Sequence, residues 1–166
     1  MATAAEYKAR ILSYIEGKDP IAVQRETPAL LAQMMKGMSG DKLRARPATD
    51  KWSVAELLAH LAEAEMGASW RYRQMIEHNG SSLLSYDQEL WSSLGDYAAQ
   101  DPQDSLQLFT LLRKGNVVMF ERLTPEQWQR HGVHTERGEM SVRDLATQIA
   151  GHDLNHLAQI KAILEK

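Results

Sequence analysis

The segment Gly151-His152-Asp153-Leu154-Asn155-His156 sets two histidines four residues apart inside a run of helical period: Val142, Leu145, Ile149, His152, His156, Ile160 and Ile163. On a helix that spacing puts the two imidazoles about 40° apart and roughly 6 Å along the axis, on one face. The rest of that face reads as core. Titratable rings in such a place are either hydrogen-bonded within the core or bound to something that takes nitrogen ligands. The second possibility calls for a further ligand upstream.

Working backwards from the pair, Ser141-Val-Arg-Asp144 reads as a capping box that opens the helix. Trp52-Ser53-Val-Ala-Glu56-Leu57 repeats the pattern and opens another long helix, which runs to about His78 and stops at Asn79-Gly80. Its inner stripe is Val54, Leu57, Leu61, Ala64, Ala68, Tyr72 and Met75, with His60 at the stripe's edge. Counted from their capping serines, His60, His152 and His156 fall within roughly 80° of one another in a common frame. Three histidines from two packed helices suit a divalent ion, and three protein nitrogens leave room for water or substrate, the pattern of a catalytic site. Imidazole accommodates several such ions, with zinc or nickel expected.

Further out, helical spacing covers residues 4–16, read as an accessory helix, and a second run with Leu30, Leu31, Met34, Met35 and Met38, for which Thr27-Pro28 supplies a start or restart. Ser39-Gly40-Asp41 closes that run, and Arg46-Pro47 begins a loop. Residues 81–103, with Tyr86, Trp91 and Tyr97 among Ser, Gly and Asp, read as a crossover carrying a turn or two of helix. Asp104-Ser105 opens the next helix. Thr124-Pro125 starts a short helical turn, and residues 131–138 read as a loop whose His131 and His134 are solvated, or rim a site where the loop folds back over the bundle end. No strand-like alternation of useful length is visible. The expectation is a single all-α domain over residues 1–166, built on four long helices with short accessory helical turns.

Composition narrows the function classes. The 166 residues are 43% apolar and 25% charged, as in an ordinary globular domain with one core. Nineteen basic against 22 acidic side chains give a net charge of −3, which argues against a nucleic acid partner. There is no cysteine, so a metal falls to His, Asp or Glu. The N-terminus lacks the pattern of a secretory signal and no apolar run approaches the ~20 residues of a membrane span, so no membrane association and a cytoplasmic location are expected.

The segments Trp52-Ser-Val-Ala-Glu-Leu-Leu-Ala-His60-Leu, Gly138-Glu-Met-Ser-Val-Arg-Asp-Leu145 and His152-Asp-Leu-Asn-His156-Leu-Ala-Gln-Ile160 resemble the DinB-like (damage-inducible, YfiT-related) superfamily, over about residues 27–166. The resemblance implies a four-helix bundle with an up-down-down-up path and a metal held by histidines that match His60, His152 and His156. It also implies a metal-dependent enzyme acting on a small-molecule substrate: an S-transferase using a low-molecular-weight thiol, with a metal-dependent hydrolase or a non-catalytic metal-binding bundle as alternatives. The chain has no thiol of its own, so a thiol cosubstrate comes from outside. A homodimer is expected from the resemblance and from Met34, Met35, Met38 and Trp91, read as more apolar surface than a small bundle buries. Neighbours on the helices nominate Glu56, Glu63, Gln148, Asp153 and Asn155 to orient the ligands, and Arg71, Arg73 and Arg113 to meet an anionic substrate. Mid-helix glycines at 67, 115 and 151 suggest close helix contacts or space for a ligand.

Overall fold

The computed structural model describes residues 4–165. Its elements run, in chain order, α1 (Ala4–Ile15), α2 (Pro20–Met35), α3 (Gly40–Arg44), α4 (Val54–Glu77), β1 (Ser81–Leu83), α5 (Gln88–Leu94), α6 (Pro102–Phe120), α7 (Pro125–Gln129), β2 (His131–His134), β3 (Gly138–Ser141) and α8 (Val142–Leu164). The long helices start where side chains can satisfy their first N–H groups. Ser53 with Glu56, and Ser141 with Asp144, form complete capping boxes on α4 and α8. Asp19 before Pro20, and Asp101 before Pro102, are simple N-caps whose carboxylates accept from first-turn N–H groups of α2 and α6.

The bundle consists of α2, α4, α6 and α8, and its core falls into two apolar clusters that reveal the path. One joins the N-terminal halves of α4 and α6 (Leu57, Leu61, Leu106, Phe109) to the C-terminal halves of α2 and α8 (Leu31, Met35, Leu157, Ile160). The other joins the later parts of α4 and α6 (Tyr72, Met75, Phe120) to the beginnings of α2 and α8 (Ile21, Val142, Leu145). So α4 runs parallel to α6, and both run antiparallel to α2 and α8. The path is up-down-down-up. Between the clusters lies a buried polar layer containing Gln24, His60, Glu65, Arg113, Asn116, Asp153 and His156.

Several boundaries differ from the sequence expectation. Helix α2 begins at Pro20, and Pro28 lies inside it. Pro28 has no N–H to offer the Gln24 carbonyl one turn back; that carbonyl instead accepts from Arg113 Nη1 at 3.0 Å, so a tertiary contact answers the helix's missing bond. Ser39 opens α3 instead of closing α2, and α6 starts at Pro102, ahead of the expected Asp104-Ser105. Residues 131–138 are not a solvated loop. They belong to a hairpin, β2 against β3, with β1 added in parallel to β2. Gly132 permits this pairing, because a Cβ there would lie 2.7 Å from Leu83 Cγ and 2.9 Å from the Ser81 carbonyl oxygen.

The side chains read as surplus apolar surface have places within this chain. Met35 is buried, Met34 and Met38 pack against the first cluster, and Trp91 stacks on Tyr86 with ring centroids 4.2 Å apart. They supply no argument for a dimer.

Of the three mid-helix glycines, Gly115 has open space, and at Gly67 a Cβ would make an ordinary 3.7 Å contact with Tyr86. Gly151 is different: a Cβ would come within 2.1 Å of the Ile11 carbonyl oxygen and 2.8 Å of its carbon, so α1 rests backbone-on-backbone against α8. Gly151→Ala, which by helix propensity should add ~1 kcal/mol of stability, is therefore expected to lower it, since overpacking costs about 1–3 kcal/mol. Urea unfolding of the full chain and of a form lacking residues 1–17 checks this. The substitution should destabilise the first and lose that penalty in the second; equal effects in both would contradict the close contact.

A candidate metal centre

His60 comes from the second turn of α4, and His152 and His156 from successive turns of α8. The two helices cross antiparallel, so the three rings meet. His60 Nε2 lies 3.0 Å from His152 Nε2, and His156 Nε2 lies 3.2 Å from that same atom. One nitrogen from each ring falls within 4.8 Å of the other two. Nitrogens held ~2.0–2.1 Å from a tetrahedral zinc stand roughly 3.3 Å apart, so the spacing fits three ligands of one ion.

The protonation states fit as well. Burial pushes the His60 pKa down to about 3, with the His156 charge adding to the effect. Burial likewise lowers His156 to about 4, and holds His152 well below the ordinary histidine range. All three rings are neutral at pH 7. His156 Nδ1 sits 3.0 Å from Gln159 Oε1; the amide oxygen can only accept, so the ring proton is on Nδ1 and the Nε2 lone pair faces the other two rings. Three Nε2 atoms sharing one spot cannot all be satisfied by hydrogen bonds among themselves, because each neutral ring has a single N–H. A cation at that spot answers every lone pair.

The residues around the trio differ from those nominated by helical neighbourhood. Gln159, three residues beyond His156, holds the His156 ring. Glu56 instead caps α4 and pairs with Arg46. Glu63 accepts from the Tyr97 hydroxyl. Asp153 and Glu65 bind Arg113, which is 1% exposed and donates to both carboxylates and to the Gln24 carbonyl. Arg113 is thus a buried structural cation and does not meet a substrate. Burial works against its charge, but Asp153 and Glu65 outweigh that. Arg73 donates to the Ser69 carbonyl and to Asn116. Trp52 packs its ring 5.2 Å from that of His60.

Two hollows border the histidines. A cavity of about 180 Å³ touches His60 and His152 and is closed over by Arg71, Tyr86, His134 and Arg137. His134, expected in solvent, is 3% exposed, because alternation along β2 turns it inward. A second hollow of about 480 Å³ touches His156, Gln159 and Trp52. Tyr7, Gln88 and Arg137 border both. His131 opens β2, the central strand, near Gly80, and lines neither hollow.

The sequence profile of the DinB superfamily matches residues 24–160. A Bacillus subtilis protein, YfiT, provisionally named a metal-dependent hydrolase, is 29% identical over 157 residues, 93% of this chain and 88% of that one. An Oceanobacillus iheyensis protein with the same provisional name is 26% identical over 141 residues, 85% of this chain and 81% of its own length. The solved structure of YfiT, described as a probable metal-dependent hydrolase with an unusual four-helix bundle topology, superposes with a TM-score of 0.81. It is 22% identical and covers 98% of this chain and 88% of that one, a likeness of fold.

Proposed function

This chain belongs to the DinB superfamily, and from that premise we propose that it is a metal-dependent enzyme whose divalent ion, zinc or nickel, is held by His60, His152 and His156, and that it transfers a low-molecular-weight thiol to a small electrophile. The observation that carries the proposal is the convergence of three neutral histidine nitrogens at the meeting point of two hollows. When bound, the ion supplies Lewis acidity, under which a thiol that ionises near 8.5 in water is a thiolate at neutral pH.

The chain's own residues do the rest. Gln159 holds the His156 ring with its lone pair inward. Trp52 packs tilted against the His60 ring, with Tyr97 edge-on to Trp52 behind it. Two hollows that reach different histidines suit a reaction of two molecules, a thiol on one side and an electrophile on the other. Hydrolysis needs one organic substrate and water, and the provisional names of the relatives favour it. The two readings share the ion and part at the nucleophile.

Cobalt-substituted protein titrated with 2-mercaptoethanol and other small thiols separates them. The expected result is a sulfur-to-metal charge-transfer band that saturates at one thiol per chain. No band with any thiol, together with ester or amide hydrolysis abolished by His60→Ala, would make the protein a hydrolase. Neither band nor hydrolysis would leave a non-catalytic bundle.

A further inference from the structure

The cavity that touches His60 and His152 is lined by two guanidinium groups, Arg71 and Arg137, against a single carboxylate, Glu136. This local excess of positive charge stands out in a chain of net charge −3. Among the described residues, neither arginine has a carboxylate oxygen within 4 Å. Arg71 is fixed by the Leu84 carbonyl, to which one amino group donates, and by the Tyr86 ring, over which its guanidinium carbon lies 5.4 Å from the centroid. Tyr86 is itself stacked on Trp91, so the arginine is held in place with most of its N–H groups left over. Burial disfavours the Arg71 charge, and the nearby Arg137 guanidinium adds to that cost. An anion between them relieves both.

Two neutral groups lie on the same wall, and one of them is prepared for an anion. His134 Nδ1 accepts from the Glu136 N–H at 3.2 Å, which leaves the proton of the neutral ring on Nε2 as a donor. Gln148 is 5% exposed, and its amide oxygen has no hydrogen-bond partner among the described residues. That oxygen calls for a donor, which a carboxylate cannot supply, so Gln148 takes no part in holding the anion. Ile11, Ala64 and Ile149 form an apolar strip in a lining that also holds Tyr7, Ser85 and Gln88, and the volume of about 180 Å³ equals roughly six waters at ~30 Å³ each.

We propose that this cavity is a carboxylate pocket: Arg71 and Arg137 bind the carboxylate of a small organic acid, whose short apolar body lies against Ile11, Ala64 and Ile149 beside the histidines. A carboxylate matches the planar fork of a guanidinium, and two forks give it both charge and orientation. The inference deepens the function proposed above, since it names the class of one of the two substrates, and it rests on that reading for its place in a reaction.

The test is calorimetric titration of the full chain, zinc-loaded and metal-free, with hexanoate and with hexanamide, which has the same shape without the charge. The expected result is that hexanoate binds at least about 10-fold more tightly in both forms, a difference of ~1.4 kcal/mol. Arg71→Gln and Arg137→Gln should each remove that preference while zinc content stays at the wild-type level. Arg137, in the exposed hairpin turn, keeps the test open if Arg71→Gln fails to fold. Equal binding of acid and amide, or no binding of either, would overturn the proposal. So would a preference for hexanoate found only with zinc present and surviving both substitutions, because the carboxylate would then be a metal ligand. Zinc content, measured in the same samples, reports on the three-histidine site independently of these outcomes.

Discussion

Arg113→Leu is expected to lower stability by about 3–5 kcal/mol, a large share of what a domain of this size possesses. Arg113 sits at the centre of the polar layer that separates the two apolar clusters. It ties α6 to Glu65 on α4, to Asp153 on α8 and to the Gln24 carbonyl on α2, so one side chain reaches all four bundle helices. Asn116 on α6 adds a hydrogen bond to Glu65 at 2.7 Å. Leucine can replace the volume and not the charge. Two carboxylates, with side chains 0% and 1% exposed, would be left facing each other without a cation. Replacing Glu65 with Gln and Asp153 with Asn in the Arg113→Leu background should recover a substantial part of the loss, because an unpaired buried charge costs more than a neutral amide. Urea unfolding of the single and triple variants measures both effects. If the single substitution costs under about 1 kcal/mol, the layer does not carry the weight assigned to it. Asp153 lies between the two α8 histidines, and Glu65 lies little more than a turn beyond His60, so the same network also fixes how α4 and α8 present the three histidines.

Much of the bundle is written in local chemistry. Ser53 with Glu56 and Ser141 with Asp144 announce α4 and α8, and the apolar periods after them settle which faces turn inward. The candidate ligands lie on those faces, which is why His60, His152 and His156 can be picked out before any coordinates. Where the reading fails, tertiary contacts decide. Pro28 looks like a helix start until Arg113 is seen to take up the carbonyl that proline leaves free. The hairpin escapes notice because β2 is four residues long, with a glycine and two histidines among them. Its alternation becomes meaningful only once Leu83 and Met140 are known to be its neighbours. That miss also hides His134 and Arg137, and with them one wall of the cavity.

The groups around the histidines show the same limit. Glu56, Glu63 and Asp153 are close in sequence to the histidines, yet each is committed elsewhere, to Arg46, Tyr97 and Arg113. Gln159 was equally close, one turn beyond His156, and only the rotation of that ring shows which neighbour it meets. Helical spacing says which side chains share a face. It does not say which of them is already engaged by another helix.

The account rests on three histidines acting as one ligand set, and metal content after single substitution tests it most directly. The purified chain is loaded with zinc, dialysed against metal-free buffer and assayed for bound zinc per chain, alongside His60→Ala, His152→Ala and His156→Ala. Removing one of three nitrogens leaves two, which is too few to hold an ion tightly against water, so the loss should be far larger than the 10–100-fold expected from disturbing an outer group such as Gln159. The prediction is one zinc per wild-type chain and almost none in any of the three variants, with the helical circular dichroism signal preserved in each. Full zinc retention in all three variants would contradict the assignment.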